Sequence, residues 1–124
     1  MSEKEILTAE TLLKKKNIIS GQEEIEYYSK FLNGTIKINR LPAQQVCEIM
    51  QDDSKTYYER QSELIYMSCP CFRDEKLIKG YDVTLPYNIV EKIFAANLLE
   101  FASLCETVLN LYGLADAGEK VKKQ

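Results

Sequence analysis

The sequence has no histidine. That removes the commonest general base, the commonest metal ligand and every Ser-His or Cys-His nucleophile pair. It also lacks a glycine-rich phosphate loop, its five glycines being scattered at positions 21, 34, 80, 113 and 118. No stretch approaches the roughly 20 continuous apolar residues of a membrane span. The opening residues, Met1 to Glu5, are charged and carry no apolar secretion region. A cytoplasmic protein is therefore expected, with Cys47, Cys69, Cys71 and Cys105 as reduced thiols. Basic charge is in deficit: 16 Lys and Arg stand against 19 Asp and Glu, for a net charge of −3. A nucleic-acid binder needs a basic face to displace counterions from phosphates, so no nucleic-acid partner and no membrane partner are expected.

What is present suits one globular domain over residues 1–124. The chain is 45% hydrophobic and 28% charged, and a domain of this length buries roughly 65% of the surface its unfolded chain exposes. Adjacent acids such as Asp52 with Asp53, or Glu23 with Glu24, read as solvated surface rather than as a catalytic pair. No enzyme is expected. The lysine runs Lys14–Lys16 and Lys120, Lys122, Lys123 read as a solvated helix end and a solvated tail. Eight tyrosines, with no tryptophan, read as half-buried residues over the core. Cys69-Pro70-Cys71 places two thiols one residue apart, but structural zinc needs two further ligands. Only Cys47 and Cys105 remain, each alone on an apolar helix face, so the cysteines read as packing residues and neither metal nor cofactor is expected.

Ser2 and Glu5 match a capping box, and Ile6, Ala9, Leu12 and Leu13 follow at helical spacing. This predicts an N-terminal amphipathic helix within residues 1–16, and a connection between Asn17 and Gly21. Ile25, Tyr27, Ser29 and Phe31 alternate, and Asn33-Gly34 precedes the alternating Ile36 and Ile38. That pattern predicts a β-hairpin near residues 24–40 with a type I′ turn; a helix over 23–32 competes with it. Pro42 is placed at the first position of a helix carrying Val46, Ile49 and Met50. Asp52-Asp53-Ser54 is expected to cap a helix over about 55–67, which Cys-Pro-Cys then interrupts. A short helix or turn over 74–79 stops at Gly80. Thr84-Leu85-Pro86 opens a helix with Ile89, Val90, Ile93 and Phe94 inward. Asn97 caps the last helix, which ends at Gly113 and leaves a frayed polar tail at 116–124. The fold class is mostly α: a single compact helical domain with one small hairpin. Val46, Ile49, Ile65, Ile89, Val90, Ile93, Phe94, Phe101, Cys105 and Val108 form the expected core.

The order of segments carries a resemblance. Gly34-Thr-Ile-Lys-Ile-Asn-Arg-Leu leads into an acidic–apolar helix. Cys69-Pro-Cys-Phe-Arg-Asp-Glu-Lys-Leu and Gly80-Tyr-Asp-Val-Thr-Leu-Pro follow, then Ile-Val-x-Lys-Ile-Phe and a helix end Leu-x-x-Leu-Tyr-Gly. Over roughly residues 25–114 this resembles the XkdN-like tail assembly chaperones of phages and defective prophages of Gram-positive bacteria. The resemblance implies a non-catalytic chaperone that binds the tape measure protein during tail morphogenesis, with the tail tube protein as a second partner. It implies action in the host cytoplasm and absence from the finished tail. A small helical adaptor or regulatory protein, or a structural tail or baseplate component, are the alternatives, and self-association is left open. A long helical partner with exposed apolar faces is matched by helix-in-groove packing. Ile6, Leu12 and Leu13 on the N-terminal helix are the candidate contact residues, because a terminal helix is the element most cheaply rearranged.

Overall fold

The computed structural model of the protein describes residues 6–114. Ser2 and Glu5, and the polar tail at 116–124, lie outside the described residues. Among those described there are α1 (Ala9–Lys14), α2 (Lys16–Ser20), β1 (Glu24–Ser29), β2 (Gly34–Asn39), α3 (Ala43–Met50), α4 (Tyr57–Ser68), a 3-10 helix (Pro70–Arg73), α5 (Glu75–Tyr81), α6 (Asn88–Phe94) and α7 (Leu98–Leu111). The fold is mostly helical, with one two-stranded antiparallel sheet at the place the alternation pattern indicates.

Helix α4 is the hub. It packs against α3, α6, α7 and the 3-10 helix, and its Leu64 and Ile65 are fully buried. Its start is fixed by Thr56 rather than by Asp52-Asp53-Ser54. Thr56 Oγ1 accepts from the Glu59 N–H at 3.1 Å, and Glu59 accepts from the Thr56 N–H at 2.8 Å. Such a reciprocal cap satisfies two orphan donors and is worth on the order of 1 kcal/mol. Asp52 instead closes its own turn by accepting from the N–H and hydroxyl of Ser54, a local bond that competes with capping. At the other end the chain leaves the α-helix where Cys-Pro-Cys forbids it. The 3-10 helix that follows delivers Phe72 into the core.

Two further boundaries differ from the sequence reading. Pro42 sits at the cap, with ψ 142°, and α3 begins at Ala43. Gly80 lies inside α5, and the left-handed position that ends this helix belongs to Asp82, at φ 49°. Aspartate tolerates that conformation well enough for the helix to run past the glycine. The last helix is capped as expected, by Asn97 accepting from the Glu100 N–H at 3.1 Å, and Gly113 follows its end at φ +71°.

The hairpin pairs Ile25 with Ile38, Tyr27 with Ile36 and Ser29 with Gly34. Gly34 is therefore the first residue of β2, and the connection is the four-residue loop Lys30–Asn33 instead of a two-residue Asn-Gly turn. Only Asn33 of that dipeptide takes positive φ, at 54°. The physical reason lies in α7. Glu100 accepts from Ser29 Oγ (2.6 Å), Tyr27 OH (2.6 Å) and the Phe31 N–H (3.1 Å), and Leu32 N–H donates to Ser29 Oγ. A tertiary carboxylate sets the loop length.

Ile36 and Ile38 join Val46, Ile49, Leu64, Ile65, Phe72, Ile89, Val90, Phe94, Phe101, Leu104 and Val108 in one continuous core. Every expected core residue is buried except Ile93, which packs against the core only partly covered. Phe94 is at the centre: its ring lies 6.1 Å from Phe72, 6.3 Å from Phe31 and 6.4 Å from Phe101.

Candidate functional site

The N-terminal arm, residues 6–20, contributes no buried residue to this core. The sequence places Ile6, Leu12 and Leu13 on one helix, but α1 begins later. Thr8 caps it, its Oγ1 accepting from the Thr11 N–H (3.2 Å), while Thr11 Oγ1 accepts from the Thr8 N–H (2.8 Å). Ile6 therefore precedes the helix and shares no helical face with Leu12 and Leu13. All three face solvent, at 83%, 42% and 63% exposure. The predicted connection at Asn17–Gly21 is also corrected. The chain turns at Lys15 and runs helically to Ser20. This adds Ile18 and Ile19 to the exposed apolar set, at 78% and 60%, together with Leu7. Two adjacent isoleucines in a presumed linker were the available sign of them.

The arm is joined to the body by a defined root. Gly21 holds φ +66° with ψ −166°, a region essentially reserved for glycine. The Arg40 guanidinium crosses it, with Nη1 donating to Ser20 O at 2.7 Å and to Gln22 O at 3.5 Å. A Cβ on Gly21 would collide with that same Nη1. The Arg40 N–H completes the junction by donating to Glu23 O at 2.8 Å.

Beside this root lies an apolar groove of about 290 Å³, bordered by Arg40 and lined by Leu41, Val46, Cys47, Met50, Tyr112 and Leu114. Its wall is tied together by Tyr112 OH, which accepts from the Leu41 N–H (3.0 Å) and bonds Ser68 Oγ (2.8 Å). A second apolar area stands where the hairpin loop meets α7. Phe31, Leu32, Leu98 and Leu99 are exposed there, linked by the Phe31–Glu100 bond.

The cysteines divide into two kinds. Cys69 and Cys105 are buried, and burial pushes the Cys105 thiol up to about 12 and raises that of Cys69 further. Such thiols stay protonated and unreactive at neutral pH. Cys47 and Cys71 are exposed. Cys47 thus departs from its expected place on a buried face and stands at the groove. Among the described residues no three His, Cys, Asp or Glu side chains gather where they could hold a metal ion, and no described helix is long and apolar enough to cross a membrane.

No protein-family model and no curated protein sequence matches the chain. Among solved structures, the chain is similar to the crystal structure of the protein YqbN, a structural genomics target. The TM-score is 0.62 at 12% identity, covering 75% of this chain and 87% of that one. At this identity the likeness concerns the fold.

Proposed function

We propose that this protein is a non-catalytic tail assembly chaperone of the XkdN-like kind, which binds a phage or prophage tape measure protein in the bacterial cytoplasm. It leaves before the tail is complete. The observation that carries the reading is the arm: six aliphatic side chains, Ile6, Leu7, Leu12, Leu13, Ile18 and Ile19, are exposed on one short segment. Apolar side chains clustered outside a well-filled core mark partner surfaces. A tape measure protein is a long helical chain with apolar faces, and a short amphipathic arm can cover such a face until the tube displaces it. Reversible cover requires modest, separable contacts, which a peripheral arm supplies at low cost to the body.

The test is co-purification of the full chain with the tape measure protein, repeated with residues 1–16 removed and with Leu12→Ser combined with Leu13→Ser. Both variants keep the helical circular dichroism spectrum and lose the partner. Retention of the partner by a folded variant overturns the role given to the arm. Finding the protein as a stoichiometric part of purified tails favours a structural tail component instead.

A further inference from the structure

We infer that the groove between α3 and the end of α7 is a docking site for a helical segment of a partner protein, one that presents aliphatic side chains with a carboxylate beside them. The site lies apart from the arm and does not depend on the chaperone reading.

The lining states the chemistry. Leu41, Ala43, Val46, Met50 and Leu114 make the groove apolar, and Ala43 and Leu114 stay exposed. Apolar surface left open beside a filled core marks a partner surface. The Tyr112 hydroxyl is already satisfied by the Leu41 N–H and Ser68 Oγ. That leaves one charge. Among the described residues, Arg40 is the only charged one in the lining. Its Nη1 is engaged with two neutral carbonyls, Ser20 O and Gln22 O, and no described carboxylate forms an ion pair with it. A guanidinium carries five donors in a fork that matches a carboxylate. An acid set beside aliphatic side chains is therefore the complement of this groove, and a base there is repelled.

The backbone decides the form of the occupant. The N–H groups of Leu41, Val46, Gln51 and Leu114 donate to Tyr112 OH, Pro42 O, Cys47 O and Leu109 O. An extended peptide finds no ladder to join, whereas a helix satisfies its own backbone and lays a side-chain stripe into a groove. Size agrees. At about 290 Å³ the groove falls at the lower edge of the roughly 300–1,000 Å³ of small-molecule cavities, and its exposed rim would leave a small ligand in water.

Exposed Cys47 stands in the groove and reports on it. The full chain with Cys71→Ser, which removes the other exposed thiol, is mixed with three labelled helical peptides of one designed sequence. Each carries a leucine stripe, flanked by Glu, Gln or Lys. Fluorescence anisotropy is expected to rank them Glu, Gln, Lys, with about tenfold between first and last. Saturating Glu peptide is expected to slow alkylation of Cys47 severalfold. Ala43→Glu puts an acid at the exposed start of α3, where the helix dipole favours it; the fold is kept, as circular dichroism verifies, and both the ranking and the protection are lost. Arg40→Gln, checked for folding in the same way, makes the three peptides equal. Leu12→Ser with Leu13→Ser leaves binding unchanged. Equal binding of the Glu and Lys peptides to the parent overturns the inference, as does no binding of any peptide. So does unchanged Cys47 reactivity at saturation, or binding that survives Ala43→Glu. Loss on the leucine substitutions with retention in Ala43→Glu would place the peptide on the arm instead.

Discussion

Gly21 separates two short elements with opposite fates. On one side, α1 and α2 bury nothing. On the other, the hairpin is of similar length, yet Ile36, Ile38 and Ser29 are buried and three of its groups are held by Glu100. Two isolated strands are only marginally stable in water, as are isolated helices of this length. Local propensity does not separate them. The difference is tertiary: the hairpin offers an inward face at period two and a hydroxyl pair that meets a carboxylate, whereas the arm's aliphatic residues fall at positions 6, 7, 12, 13, 18 and 19 and find no such partner on the body.

The comparison is broken most severely in the core. Phe94→Ala removes the ring on which Phe31, Phe72 and Phe101 converge and is expected to destabilise by about 3–5 kcal/mol. Denaturant unfolding followed by circular dichroism measures this, and a loss under about 1 kcal/mol would show the site to be poorly packed.

The next effect is at the latch. Glu100→Ala strips the partner from Ser29 Oγ, Tyr27 OH and the Phe31 N–H, an expected loss of about 1–3 kcal/mol given that the site is only half-buried. The Ser29 hydroxyl, then Tyr27, hold the Glu100 carboxyl below its ordinary value, and burial opposes them only in part. The sign follows. A depressed folded pKa gives stability that is fully present above the unfolded glutamate value, near 4.5, and is lost as pH falls through the lower folded value. Glu100→Gln should therefore flatten the stability profile below about pH 4.5. An unchanged profile would remove Glu100 as the latch. Gly21→Ala ranks below both. Its backbone region costs about 1–3 kcal/mol for alanine, but the root can yield by releasing Arg40. The global loss is expected to stay near 1 kcal/mol, with faster hydrogen exchange confined to the Arg40–Glu23 junction.

These elements also show what was legible in advance. The apolar periodicities of α4, α6 and α7 located the core, because burial there follows directly from spacing. Thr56–Glu59, a capping box three residues apart, was readable and was passed over for the acids before it. The hairpin's existence was legible but its loop was not, since Glu100 sits 71 residues from Ser29 and no local pattern reports it. Leu12 and Leu13 were read correctly as an apolar pair. Their exposure, the premise on which they are candidate contacts, follows from their place in a terminal helix and not from the pattern, because an amphipathic pattern states that a face wants cover without stating whether the body supplies it.

That last point yields the smallest effect and the sharpest contrast with the hairpin. Leu12→Ser with Leu13→Ser replaces two large apolar side chains, and in a core this would cost several kcal/mol. Here both are already exposed, Leu12 at 42% and Leu13 at 63%, so little transfer free energy is lost on substitution. The expected change in unfolding free energy is within about 0.5 kcal/mol, read by denaturant unfolding. A loss above about 2 kcal/mol would place Leu12 and Leu13 against the body and remove the distinction between arm and hairpin.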